Sequence, residues 1–279
     1  MTDLHGHFVW YELMTTDMAA AKAFYAKTVG FGARDASAPG MPYALLTAGE
    51  TAVGGLMTLP MDALRQGAQP RWLGYVAVGD VDASTRRIEE LGGAVHIPPT
   101  NIPDIGRFAV VADPQSATLA LIKPSGPDVP DADALDRPGH VGWHELLAAD
   151  GGKAFALYSE LFGWRKAEVE TNPDSAYQPF SIGGKTAGGM FNKPPIVTSP
   201  FWLYYFNVSD IAVATANVTA LGGKILEGPV DVPGGSRVAR CEDPQGATFA
   251  LMEKRKDKAA GYFSPSAGSP GASGRRWSW

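Results

Sequence analysis

Two hydrophobic periodicities alternate along the chain. Residues 7–14 are rich in aromatics and predict a strand. Asp17 follows as a helix N-cap, its carboxylate able to accept from first-turn amides. Met18, Ala21, Phe24, Tyr25 and Thr28 recur at helical spacing, and Gly30 suits a left-handed stop. Three strand-like runs come next, near 31–36, 42–48 and 51–58, punctuated by Pro and Gly. The pattern then restarts. Trp72–Val78 predicts a strand, and Asp80 or Asp82 opens a helix whose apolar side is Val81, Ser84, Thr85, Ile88 and Leu91. Gly92-Gly93 ends that helix, and strands follow near 94–98, 106–112 and 118–123.

This βαβββ-βαβββ block is written twice. GHFVWYELMTTD at 6–17 aligns with GHVGWHELLAAD at 139–150, with six of twelve positions identical. RFAVVADPQSATLAL at 107–121 aligns with RVARCEDPQGATFAL at 237–251. The offset is 133 residues in the first match and 130 in the second, so the copies differ little in length. The expected organisation is one domain over 1–124, a Pro- and Asp-rich linker over 125–138, a second domain over 139–254 and a flexible low-complexity tail over 255–279. The fold class expected is α+β: four βαβββ units forming two open eight-stranded barrels, with helices on the outer face.

Composition narrows the function. The formal charge of −5 gives no basic face for nucleic acid or an anionic membrane surface, so neither partner is expected. A single cysteine, Cys241, cannot form an internal disulfide, and neither a signal peptide nor a bilayer-length apolar run is visible. A cytoplasmic monomer or homodimer is expected.

The strand–Asp–helix opening with Phe24-Tyr25 and Leu157-Tyr158, the Gly-aromatic helix ends Gly30-Phe31 and Gly163-Trp164, and the closing Asp-Pro strand pairs resemble the vicinal oxygen chelate superfamily. That superfamily includes glyoxalase I, bleomycin- and fosfomycin-resistance proteins and extradiol dioxygenases. The chain is similar to its tandem-domain, glyoxalase-like bacterial members, and the resemblance spans nearly all of 6–253. It implies a ligand in the barrel interior and, in metal-dependent members, His, Gln and Glu donors on inward strand positions. Those positions fall here on Trp10 and Trp143, Leu73 and Leu203, Ala120 and Ala250, and near Gly55 and Gly189. None of these side chains can coordinate an ion, so no metal and no cofactor is expected. A one-residue shift of register would instead bring in Tyr11 and His144, which strand parity places under the helix.

Glu12 and Glu145 are the inward polar exceptions, two residues beyond the tryptophans. As catalytic candidates, either could serve as a general base; the structural alternative is a buried carboxylate paired with Arg107 or Arg237. Trp10, Trp143, Tyr75 and Tyr205 could stack a planar ligand, with Arg107 and Arg237 holding an anionic group; as core filling, the aromatics would need no ligand. The histidines, the Asp113-Pro114 and Asp243-Pro244 turns and Cys241 are expected to be structural. The expected function is binding of a small planar or aromatic molecule in metal-free cavities. The alternative is a glyoxalase-type lyase, isomerase or dioxygenase with a non-standard or absent metal site, and a third reading is a scaffold with a vestigial cavity.

Overall fold

A computed structural model describes residues 4–65, 67–126, 136–167 and 177–254, so the tail expected over 255–279 and most of the linker lie outside the described residues. The first half runs β1 (Phe8–Thr15), α1 (Met18–Thr28), β2 (Gly32–Asp35), β3 (Tyr43–Ala48), β4 (Thr51–Thr58), α2 (Met61–Arg65), β5 (Arg71–Ala77), α3 (Val81–Glu90), β6 (Ala94–Ile102), β7 (Gly106–Ala112) and β8 (Thr118–Pro124). The second half repeats it: β9 (Val141–Ala148), α4 (Gly151–Phe162), β10 (Arg165–Lys166), β11 (Gln178–Ile182), β12 (Lys185–Asn192), β13 (Phe201–Asn207), α5 (Ile211–Ala220), β14 (Lys224–Asp231), β15 (Arg237–Glu242) and β16 (Thr248–Glu253). The short α2 has no counterpart among the described residues of the second half, and the hydrophobic pattern does not predict it. Among the described residues no helix is long and apolar enough to cross a membrane.

Each of the four long helices opens on an aspartate in extended backbone. The carboxylates of Asp17, Asp80, Asp150 and Asp210 accept first-turn amide hydrogen bonds that would otherwise have no partner. The strand edges also obey local chemistry. β6 continues through Pro98-Pro99 to Ile102 because it is an edge strand, where proline's missing donor faces no neighbour.

Each half forms one eight-stranded sheet, in the orders β2-β3-β4-β1-β5-β8-β7-β6 and β10-β11-β12-β9-β13-β16-β15-β14. The central pairs β1–β4 and β5–β8 are parallel, as are β9–β12 and β13–β16, while β1–β5 and β9–β13 run antiparallel. The edges do not meet, so the sheets are open. They are nevertheless strongly curled. In a flat sheet β9 and β15 would stand roughly 14 Å apart, three strand spacings, yet Glu145 and Arg240 meet at 2.8 Å.

Strand alternation sorts the side chains onto two faces. The outer faces of both sheets share one hydrophobic core, including Phe8, Tyr11, Leu13, Trp72 and Val76 from the first half and Trp164, Phe180, Trp202, Tyr204 and Phe206 from the second. The two sheets are thus joined back to back. Their helices flank the junction crosswise, α1 against α5 and α3 against α4. The inner faces form two separate smaller clusters, one in each half.

Two contacts at the junction are buried and polar. His144 Nδ1 lies 2.8 Å from the Ala187 carbonyl, which can only accept, so Nδ1 carries the proton. Its Nε2 therefore accepts from the Tyr11 phenol at 2.6 Å. Burial holds the His144 pKa down to about 4, leaving the imidazole neutral. Tyr11 and His144 occupy equivalent positions in the two copies and meet across the junction, on the face that parity predicts but packed against the opposite sheet rather than under a helix.

Candidate functional site

The inner-face site of the first half is built on adjacent strands. Glu12 of β1 stands opposite Gly55 of β4 on one side and Leu73 of β5 on the other. The residue is 8% exposed, and the Tyr75 phenol donates to its Oε2 at 2.8 Å. The Tyr43 phenol, from β3, also bonds this carboxylate and in turn accepts from the Trp10 indole at 3.3 Å. Burial raises the Glu12 pKa, and the two phenol hydrogen bonds only partly offset that. The same burial and the neighbouring carboxylate raise Tyr75 and Tyr43, which therefore remain protonated donors.

Gly55 makes this arrangement possible. A Cβ there would collide with the Tyr43 hydroxyl, so only glycine lets the phenol lie across β4 onto the carboxylate. Gly189 plays the same part under Tyr177 in the second half. The positions at which the family resemblance implies a metal donor thus provide clearance for a phenol.

The second site repeats the plan and adds a cation. Glu145 of β9 accepts from the Tyr205 phenol at 2.6 Å and is also bonded by Tyr177, which takes the Trp143 indole hydrogen bond at 2.8 Å. Arg240 of β15 reaches the same carboxylate at 2.8 Å, with side chains 14% and 6% exposed for Arg and Glu. It also contacts Glu227 at 3.2 Å and lies 5.6 Å from the centre of the Phe191 ring. Burial alone would lower the arginine pKa, but Glu145, Tyr205 and Glu227 raise it overall. The equivalent of Arg240 in the first half is Val110, in matching register with the last strand of its sheet.

The structure therefore brings Trp10, Glu12 and Tyr75 together, and likewise Trp143, Glu145 and Tyr205. It does not bring Arg107 or Arg237 to them. Arg107 holds Asp82 through contacts of 2.6 and 2.8 Å, and Arg237 lies 3.8 Å from Asp231. The expected pairing of these arginines with the glutamates is corrected by strand parity. Phe108 and Val110 pack on the inner face of β7, and Val238 on that of β15, so the odd-numbered arginines fall on the other face. Tyr43, Tyr177 and Arg240 are the site residues missed in the sequence. The two tyrosines are separated by nearly the repeat offset, a signal that was available.

Cys241 is fully buried in β15, and burial pushes its thiol up to about 12, so it is a protonated core residue. Asp113 and Asp243 each fix their turn by accepting two backbone amides.

The donor set does not fit the divalent ion that the resemblance implies. Each inner site centres on one buried carboxylate among phenols, indole and aliphatic groups, and in the second half that carboxylate is already paired with Arg240. Among the described residues no group of three or more His, Cys, Asp or Glu side chains could hold a metal.

Comparison with known proteins matches this architecture. Residues 6–121 and 137–251 each match the glyoxalase/bleomycin resistance protein/dioxygenase superfamily. The chain is 32% identical over 246 residues to CFP32 of Mycobacterium tuberculosis, whose name includes the term glyoxylase, covering 88% of this chain and 93% of that protein. It is 30% identical over 262 residues to the anthracycline biosynthesis protein DauV of Streptomyces sp. strain C5, with the same coverage. Among solved structures, the Mn(II)-bound glyoxalase of Novosphingobium aromaticivorans superposes with a TM-score of 0.59 at 14% identity, over 90% of this chain and 82% of that one. With both halves matched and the tandem architecture in place, the chain belongs to the glyoxalase/bleomycin resistance protein/dioxygenase superfamily.

Proposed function

We propose that the protein binds a small planar or aromatic molecule on its inner faces without a metal ion. The observation that supports this most directly is the makeup of the inner sites, where indole, phenol and a single carboxylate stand around glycine and leucine. Such a surface offers a stacking plane with a few convergent polar groups, the usual makeup of a small-molecule site. The partly buried indoles of Trp10 and Trp143 pack at the inner clusters and leave an aromatic edge for a ligand. The name of the relative DauV refers to anthracyclines, which carry a flat fused aromatic system, and this supports a planar ligand class.

The test is direct. Protein treated with chelator is titrated with a hydroxyanthraquinone while indole fluorescence is followed. Affinity is expected to persist after chelation and to be unchanged by added Mn(II), Zn(II) or Ni(II). Affinity that disappears on chelation and returns with an ion would refute the reading.

A second reading rests on Glu12. A buried carboxylate with a raised pKa can take a proton from carbon next to a carbonyl, which would make the protein a glyoxalase-type isomerase or lyase. In that case Glu12→Gln would abolish turnover of an α-keto substrate; unchanged turnover would remove the reading.

A further inference from the structure

The two inner faces are not equivalent in charge. In the second half the carboxylate and the guanidinium are joined, Glu145 to Arg240, and Phe201 begins β13. In the first half the residue in the place of Phe201 is Arg71, opposite Met14, as Phe201 is opposite Leu147. Arg71 shares strand parity with Leu73 and Tyr75, whose side chains line the inner cluster. Among the described residues it has no carboxylate partner, and Glu12 has no cationic one. Arg71 stands exposed at the rim of that face, and partial desolvation lowers its pKa with no acidic neighbour among the described residues to offset it. Glu12 is opposite Leu73 and Arg71 opposite Met14, a diagonal step of about 7–8 Å between backbone positions. An anion and a cation therefore share one inner face without being joined to each other.

We propose, building on the binding function above, that the ligand site is the inner face of the N-terminal half and that its ligand is a planar organic acid. The ligand's carboxylate or enolate pairs with Arg71 near the start of β5. A hydroxyl or amine at its other end donates to Glu12, and its ring lies against Trp10. The C-terminal face is closed to such a molecule by its internal ion pair. An incoming acid would have to displace Glu145 from Arg240, and separating a buried, hydrogen-bonded pair is strongly unfavourable.

The test is calorimetric titration of the full chain with 4-hydroxybenzoate, benzoate and 4-hydroxybenzyl alcohol. One 4-hydroxybenzoate per chain is expected, bound more tightly than either analogue. Arg71→Gln is expected to weaken 4-hydroxybenzoate at least fivefold while changing 4-hydroxybenzyl alcohol less than twofold. Glu12→Gln is expected to weaken both hydroxylated probes and leave benzoate within twofold. Phe201→Ala, at the matching position in the other half, is expected to leave all three within twofold. Two sites per chain, no effect of Arg71→Gln, or a loss confined to Phe201→Ala would overturn this assignment while leaving metal-free binding intact. Failure of these probes and of the hydroxyanthraquinone alike would overturn both.

Discussion

The phenol of Tyr158, on α4, donates a 3.0 Å hydrogen bond to Asp113 in the turn between β7 and β8 of the opposite half. Tyr25, its counterpart on α1, does the same to Asp243, also at 3.0 Å. Trp72 and Trp202 complete the two chains by donating to these phenols at 2.9 and 3.4 Å. Each Asp-Pro turn is thereby tied both to its own backbone and to the other copy.

Removing one phenol leaves a buried carboxylate oxygen short of a donor while the turn amides stay bound. Tyr158→Phe and Tyr25→Phe are each expected to cost about 1–2 kcal/mol. Because the shared core spans both halves, unfolding in urea is expected as one transition, coincident by far-ultraviolet circular dichroism and tryptophan fluorescence. Separate transitions for the two halves would contradict it.

The two glutamates should respond oppositely to amide substitution. Glu145→Gln leaves Arg240 largely buried, with Glu227 as its remaining acid among the described residues, and a loss of about 2–3 kcal/mol is expected. Glu12→Gln removes a carboxylate that burial disfavours and that no cation among the described residues compensates, so stability is expected to hold or rise. Thermal denaturation of both variants at neutral pH decides this.

Acid should loosen the junction through His144. In the folded chain its pKa is about 4, against about 6.5 when exposed, so between these values the unfolded state binds more protons. Stability is therefore fully present above about pH 6.5 and declines as the pH falls through that window, by about 3 kcal/mol at its lower end. Glu12, Asp113 and Asp243 act in the opposite sense, since burial raises their pKa values. The difference between the wild type and His144→Gln isolates the histidine: the variant's stability should fall less steeply between pH 6.5 and 4. Equal slopes would show that His144 does not titrate as described.

Gly74 is the repeat counterpart of Tyr204, and its amide donates to that phenol at 2.8 Å. An added Cβ would come within 2.6 Å of the hydroxyl and 2.8 Å of the ring. Gly74→Ala is expected to destabilise the protein by about 1–3 kcal/mol. Combined with Tyr204→Val, most of that penalty should disappear, which a double-mutant cycle in urea would register as strong coupling.

Much of the architecture was legible in the sequence because it depends on local chemistry repeated four times. Asp17, Asp80, Asp150 and Asp210 announce their helices, and the duplicated Trp-x-Glu places indole and carboxylate on one face. Arg240 was not legible. Its role depends on which face of β15 it occupies and on how far the sheet curls, and a one-residue error in a strand start reverses the first. Only under that reversed parity would Arg107 and Arg237 face inward. Tyr43 lies at the beginning of a strand, and its reach to Glu12 depends on the absence of a side chain at Gly55. Back-to-back joining of the sheets was also hidden, since the same apolar outer positions could have been covered by helices alone.

Joining the sheets by their convex sides turns the two hollows away from each other. A change of lining in one hollow meets a solid partition before it reaches the other, so neither copy constrains the chemistry of its twin. Duplication in this geometry leaves one compartment free to be plugged by its own charges while the other stays receptive.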